Sequence, residues 1–256
     1  MHESGRRSGA HLSEAPHADC SACPHRDTLL AAGKCEPGDI CLIVESGRQI
    51  DRFLRRNPEF AQACLSDPFW ERRAIAVRYA PAQTVAGLAK DRDEVVRRAV
   101  ALRLLPETLM SMARDPDREV RITVASRLPP ERLEALIGDR DYMVRQRVAE
   151  RLPHGKLTRL AHDPEREVRK EVARRLPPFA LARMAADVDP EVRAIAASRM
   201  LPDDAARLLD DPEWRVRLEA VGRAPMEAVA PLVDDPDRDV REQVYERLTH
   251  YLQAKE

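Results

Sequence analysis

DPDREVRITVASRLP, residues 115–129, is one cycle of a pattern that runs through most of the chain. Its aspartate recurs at Asp67, Asp91, Asp115, Asp139, Asp163, Asp187, Asp211 and Asp235, at a constant interval without an insertion. Arginine stands at the sixth position after each: Arg73, Arg97, Arg121, Arg145, Arg169, Arg193, Arg217 and Arg241. Valine precedes that arginine in every unit but the first, where Arg72 stands. A second arginine column lies at the twelfth position after the aspartate, at Arg103, Arg127, Arg151, Arg175, Arg199, Arg223 and Arg247, with Tyr79 in the first unit. Register kept this strictly over eight units is a solenoid signal.

Each unit reads as one long and one short helix. Asp-Pro, as in Asp115-Pro116, suggests a helix start, with the carboxylate as cap and proline at the first helical position. Val120, Val124, Ala125 and Leu128 then share one face of an α-helix, and Pro129 ends it. Apolar pairs three apart follow: Leu109 and Met112, Leu133 and Leu136, Leu157 and Leu160, Leu181 and Met184. That spacing stacks side chains on a 3₁₀ turn. No segment alternates like a half-buried strand, so the expected class is all-α, with stability coming from stacked units. Residues 54–66 align with the tail of a unit, and the last unit lacks its short helix, so the array is expected to begin and end on half units.

The chain has 38 Arg and five Lys among its 256 residues. On a helical wheel the first arginine column falls inside the apolar arc. A guanidinium placed there can reach carbonyls or aspartates of a neighbouring unit through several directed bonds, which Lys cannot match. The competing reading is an exposed row for phosphate or acidic partners. Charge weighs against it: 43 basic side chains face 44 acidic ones, and residues 67–256 hold 35 of each. A nucleic-acid rod should be basic along its length. No apolar run could span a membrane and residues 1–16 lack a signal-peptide core, so the expectation is a soluble cytoplasmic protein. No glycine-rich phosphate loop, G-x-S-x-G or His-Glu helix motif appears, and the chain is not expected to be an enzyme.

All five cysteines lie near the N-terminus, the last of them Cys64. Cys20, Cys23, Cys35 and Cys41 read C-x2-C-x11-C-x5-C, and thiols kept reduced in that compartment suggest ligands rather than disulfides. Four thiolates can complete an iron–sulfur cluster or a tetrahedral zinc site, and unligated thiols remain a third reading. The second pair, opened to x5, makes a wider cage than the short pairs of most zinc modules. Cys64 falls in a column otherwise filled by core residues such as Leu136 and Leu160, so it reads as an apolar filler. His11, His17 and His25 flank the cysteines as lesser candidates. The organisation that follows is a mobile tail over 1–16, a metal-binding head over 17–48, and about eight repeats over 49–256.

The repeat D-P-x-x-x-V-R-x-x-V-A-x-R-L-P together with the four-cysteine head resembles the leucine-rich repeat variant proteins that carry an N-terminal [4Fe-4S] module. The resemblance covers nearly the whole chain. It implies alternating α- and 3₁₀-helices in a right-handed superhelical solenoid, and a [4Fe-4S] cluster on Cys20, Cys23, Cys35 and Cys41, with zinc as the alternative. The first unit departs from the pattern at Phe69, Trp70 and Arg72, a change suited to contacting the head. The resemblance brings no settled activity. The leading expectation is a scaffold for a protein partner with a redox-active or redox-sensing head. Electron transfer is the first alternative and nucleic-acid binding, the weakest reading on charge, is the second.

Overall fold

The computed structural model of the chain describes residues 16–254. The tail expected over residues 1–16 lies outside them, apart from Pro16. The chain divides into two compact units, one ending at Met112 and one starting at Ala113. In the first, α1 (Gly47–Arg56), α2 (Trp70–Tyr79) and α3 (Glu94–Ala101) pack in succession. In the second, the succession is α4 (Arg118–Arg127), α5 (Tyr142–Ala149), α6 (Arg166–Arg175), α7 (Pro190–Ala197), α8 (Trp214–Arg223) and α9 (Arg238–Gln253). The only β-pairing among the described residues is an isolated bridge between Glu36 and Ile40. No helix among them is long and apolar enough to cross a membrane.

Between long helices the chain makes a short one. It is 3₁₀ throughout at Pro130–Leu136 and Pro178–Met184. Elsewhere one α-turn runs into 3₁₀, as His154–Leu157 does into Thr158–Leu160. The stacked apolar pairs explain both forms: Leu133, Leu136, Leu157, Leu160, Leu181 and Met184 are all buried. The long helices bury the face anticipated from their spacing, with Val120, Val124, Ala125 and Leu128 at 0% exposure. The stretch before Asp67 is more than a tail. Helix α1 precedes it, and the short helices Pro58–Phe60 and Ala61–Cys64 follow α1.

The recurring aspartates are not the helix caps. In the fourth long helix the cap is Asp117, whose carboxylate accepts from Val120 N–H at 3.1 Å. Asp115 lies just before it and accepts from Asp117 N–H at 2.9 Å, which folds the turn leading into the helix. Proline is therefore a turn residue in Asp115-Pro116, outside the helix. The helix starts late because the column aspartate has a second partner that requires it at the seam between repeats.

That partner is arginine. Arg145 donates from Nε and Nη2 to the two carboxylate oxygens of Asp163, at 2.7 and 2.8 Å, and from Nη1 to the Asp139 carbonyl at 2.7 Å. Arg73 with Asp91, Arg121 with Asp139, Arg169 with Asp187, Arg193 with Asp211 and Arg217 with Asp235 repeat this fork. The expected structural ladder is what the structure contains. The second column is likewise turned inward. Arg199 donates to the carbonyls of Ala173 and Leu176 at 2.6 and 3.0 Å, and Arg175 to those of Ala149 and Leu152 at 2.5 and 2.9 Å. Each thus places a cation at the C-terminal end of the preceding long helix, where free carbonyls and the helix dipole favour it.

Arg72 has a specific reason to differ. A ladder arginine joins one column aspartate's carboxylate to the carbonyl of the column aspartate one repeat earlier, as Arg145 joins Asp163 to Asp139. Asp67 has no such arginine upstream, because Gln49 stands at the corresponding position. Arg72 reaches the equivalent groups from the other side, the Asp67 carboxylate at 2.7 Å and the Ile43 carbonyl at 2.8 Å. Its guanidinium lies over the Phe69 ring, 5.6 Å from the centroid. Gly47 meets the same unit closely, since a Cβ there would lie 2.0 Å from Glu71 Oε1. The departure from pattern is thus the join between head and array.

The fork holds Asp235 below the usual carboxylate range, mainly through its hydrogen bonds from Arg217. For Asp91 and Asp211 burial pushes upward, but the bonds from Arg73 or Arg193 and from a turn N–H outweigh it. Carboxylates lowered in the folded state stabilise it above their unfolded pKa of about 3.9, and the stabilisation is lost as pH falls through the folded value. The helical circular-dichroism signal should hold from pH 7 to about 4 and collapse below it. At neutral pH, Arg145→Lys should lower the melting temperature by a few degrees, about 2 kcal/mol, because lysine cannot make the fork. A melting temperature unchanged by that substitution contradicts the ladder.

Candidate metal centre

The four N-terminal cysteines approach one pocket from two loops. Cys20 sits in a turn where Asp19 accepts from Ser21 N–H and Oγ at 2.9 and 2.5 Å. These bonds hold the Asp19 carboxyl below its usual range. Cys23 precedes a wide turn, Arg26–Leu30, in which Leu30 N–H reaches back to the His25 carbonyl, a π-type step. Cys35 and Cys41 flank a tight loop closed by reciprocal bonds of 2.8 Å between Glu36 and Ile40. Gly38 has φ +83 at its tip, and a Cβ there would lie 2.6 Å from the His17 ring. Glycine is required on both counts.

Helix α1 braces both loops. The Asn57 amide, at its C-terminal end, donates to the Lys34 carbonyl at 2.9 Å, next to Cys35. The Gln49 carbonyl accepts from Cys41 N–H at 3.4 Å, and the Gln49 side-chain amide donates to the Pro16 carbonyl at 2.8 Å. Gln49 and Asn57 are buried, with Ile50, Phe53 and Leu54 between them. Sequence reading passed over both amides. Their signal was two uncharged polar residues on the apolar face of an amphipathic helix, which is informative only once burial is known.

Cys20, Cys23, Cys35 and Cys41 line the same pocket, with Ala18, Leu30 and Ile40 forming apolar wall. All four are partly exposed. Burial pushes the Cys35 thiol up, and the nearby sulfurs of Cys41, Cys20 and Cys23 push it further. Cys35 therefore lies within electrostatic reach of the other three sulfurs. Four such groups ionised together need cationic charge between them, and this donor set fits an iron–sulfur centre. Among the described residues, no three His, Cys, Asp or Glu side chains are drawn together tightly enough to hold a single metal ion; the four cysteines share a pocket wall without converging on one point. Cys64 is buried outside the pocket wall, and burial raises its pKa. His25 lines the pocket, His17 packs on Gly38, and His11 lies outside the described residues.

Comparison with known proteins places these features together. A family model described as the FeS4 cluster of leucine-rich repeat variant proteins matches residues 16–63, which include all four cysteines and α1. A second model, for the leucine-rich repeat variant itself, matches residues 118–141 and 166–189. A solved structure described as a leucine-rich repeat variant with a novel repetitive structural motif is 55% identical. The alignment covers 91% of this chain and 99% of that one, with a TM-score of 0.86. The chain belongs to the leucine-rich repeat variant family. An uncharacterised 27.7 kDa protein in the nifB 3′ region of Rhodobacter capsulatus is 40% identical over 86 residues. That match spans 34% of this chain and 35% of the relative's length. The variant repeat is the solenoid described above, alternating α- and 3₁₀-helices, and the head is its iron–sulfur module.

The site separates two kinds of cysteine. Cys35→Ala should reduce iron and acid-labile sulfide in anaerobically purified protein several-fold, whereas Cys64→Ser should leave both unchanged. Loss of iron from the Cys64 variant with its fold intact would mean that the ligand set is misassigned.

Proposed function

We propose that the protein is a non-catalytic scaffold for a protein partner, carrying a redox-active or redox-sensing [4Fe-4S] head. The observation that supports this most is the use of the arginines. Both columns spend their donors on aspartates and carbonyls inside the stack, so the most basic feature of the sequence is not a polyanion surface. Large apolar side chains such as Leu105 and Phe179 are instead exposed, at 63% and 74%. A near-neutral surface with apolar points suits a protein partner better than nucleic acid.

The cluster assignment rests on Cys20, Cys23, Cys35 and Cys41, with zinc as the alternative occupant. Bound there, a [4Fe-4S] cluster would supply a one-electron centre or a structural crosslink. The chain's part is to hold four sulfurs from two loops, to wall them with Leu30 and Ile40, and to tie them through α1 to the first repeat. Thiols kept available for such a centre suit the cytoplasm. Simple electron transfer is the alternative reading, favoured by the partial exposure of all four cysteines.

Electron paramagnetic resonance of anaerobically purified and dithionite-reduced protein tests the head. The expected result is four irons and four sulfides per chain and a signal that appears on reduction and vanishes on reoxidation. A colourless zinc protein would remove every redox reading. For the scaffold, a partner recovered by cross-linking in cells should bind with different affinity to the two redox states. Equal affinity points to a structural head, and retention on heparin with a steep salt dependence points to nucleic acid.

A further inference from the structure

The outward face of α3 is unlike that of any other repeat. Val95, Ala99 and Leu102 stand at i, i+4 and i+7, and Val95 and Leu102 are 43% and 56% exposed. At the Val95 position six of the other seven units carry a charged residue, and Met143 fills the seventh. No other unit places an aliphatic side chain at the Leu102 position. The stripe is not displaced core, since a separate face of α3 buries Val96 and Val100 completely.

These side chains form one wall of a groove whose other wall is Ala74 and Arg78 of α2. Arg98 stands on the apolar stripe, is exposed, and has no ion-pair partner among the described residues. Arg78 is 65% exposed and makes one long contact, 3.3 Å, to Asp51. Arg103 lines the groove too, but its guanidinium is turned to the carbonyls of Val77 and Ala80. No carboxylate lines the groove. An apolar trough between two helices, with exposed guanidiniums and no carboxylate in its lining, is complementary to an apolar helix face bordered by carboxylates.

We infer that the groove between α2 and α3 docks an acidic amphipathic helix of a partner protein. Apolar side chains of the partner pack on Val95, Ala99 and Leu102, and its glutamates or aspartates reach Arg98 and Arg78. This deepens the scaffold reading and rests on it, by naming where the partner binds and its chemical class. Arg78 and its neighbour Tyr79 both contact Asp51 on α1, the helix that braces the cysteines. The groove therefore lies one helix away from the head's support.

The test uses the full chain with its cluster and a fluorescein-labelled helical peptide bearing a leucine stripe flanked by glutamates. The same peptide with lysines in place of glutamates is the counter-probe, and fluorescence anisotropy is the readout. Expected is saturable binding of the acidic peptide, at least about tenfold tighter than the basic one and weakened by salt. Leu102→Glu and Arg98→Glu should each weaken it about tenfold or more, with circular dichroism unchanged. Val188→Glu, at an 88% exposed site in the other unit, should leave it unaltered. Binding that survives both groove substitutions but falls with Val188→Glu overturns the groove and leaves the scaffold reading standing. No binding, or equal binding of the two peptides, also overturns the groove, while the redox-dependent partner experiment decides the scaffold separately.

Discussion

A guanidinium that lies in a seam between stacked repeats must find a carboxylate there, and the rest of this structure follows from that requirement. Arg145 is nearly buried, and an unpaired charge in that position would cost several kcal/mol. Its fork closes on Asp163 in the next unit, while its third nitrogen holds the carbonyl of Asp139 at the start of its own unit. One side chain thereby fixes the separation and orientation of successive repeats. An inserted residue in any unit would misplace the fork and strand two charges. The unvarying period and the preference for Arg over Lys are two consequences of the same geometry.

The aspartate column answers to the same demand. Asp163 could have capped its helix directly, but its oxygens are needed for Arg145. Apart from Arg145 it accepts from the turn N–H of Glu165, and the helix begins only at Arg166. The second arginine column completes the arrangement by occupying carbonyls at the end of the previous helix. Both arginine columns are consumed internally, which leaves the outer surface to other side chains, exposed apolar residues such as Leu105 and Phe179 among them.

Where the ladder meets the head, the geometry is preserved while the residues change. Arg72 bridges the Asp67 carboxylate and the Ile43 carbonyl from within its own unit, because Gln49 stands where the upstream arginine would be. Gln49 is used differently, tying Pro16 and Cys41 to α1, and Asn57 does the same for the loop before Cys35. The helix that supports the cysteines is thus also the first member of the stack. A change in the head has a short, hydrogen-bonded route to α2 and to the groove beyond it.

The amino-acid sequence by itself determined the period, the buried face of each long helix, the short 3₁₀ segments, and the grouping of Cys20, Cys23, Cys35 and Cys41 apart from Cys64. These are legible because helical periodicity is local: Val120, Val124 and Leu128 share a face whatever lies opposite them. Only the tertiary structure decided which carboxylate each arginine reaches, that the column aspartates are receptors rather than caps, and why Arg72 breaks the pattern. It also revealed the buried amides Gln49 and Asn57, and the groove beside Val95 and Leu102. Those properties depend on how one repeat is set against the next. A partner in the adjoining repeat is fixed by the stacking distance and angle, which no local spacing rule contains.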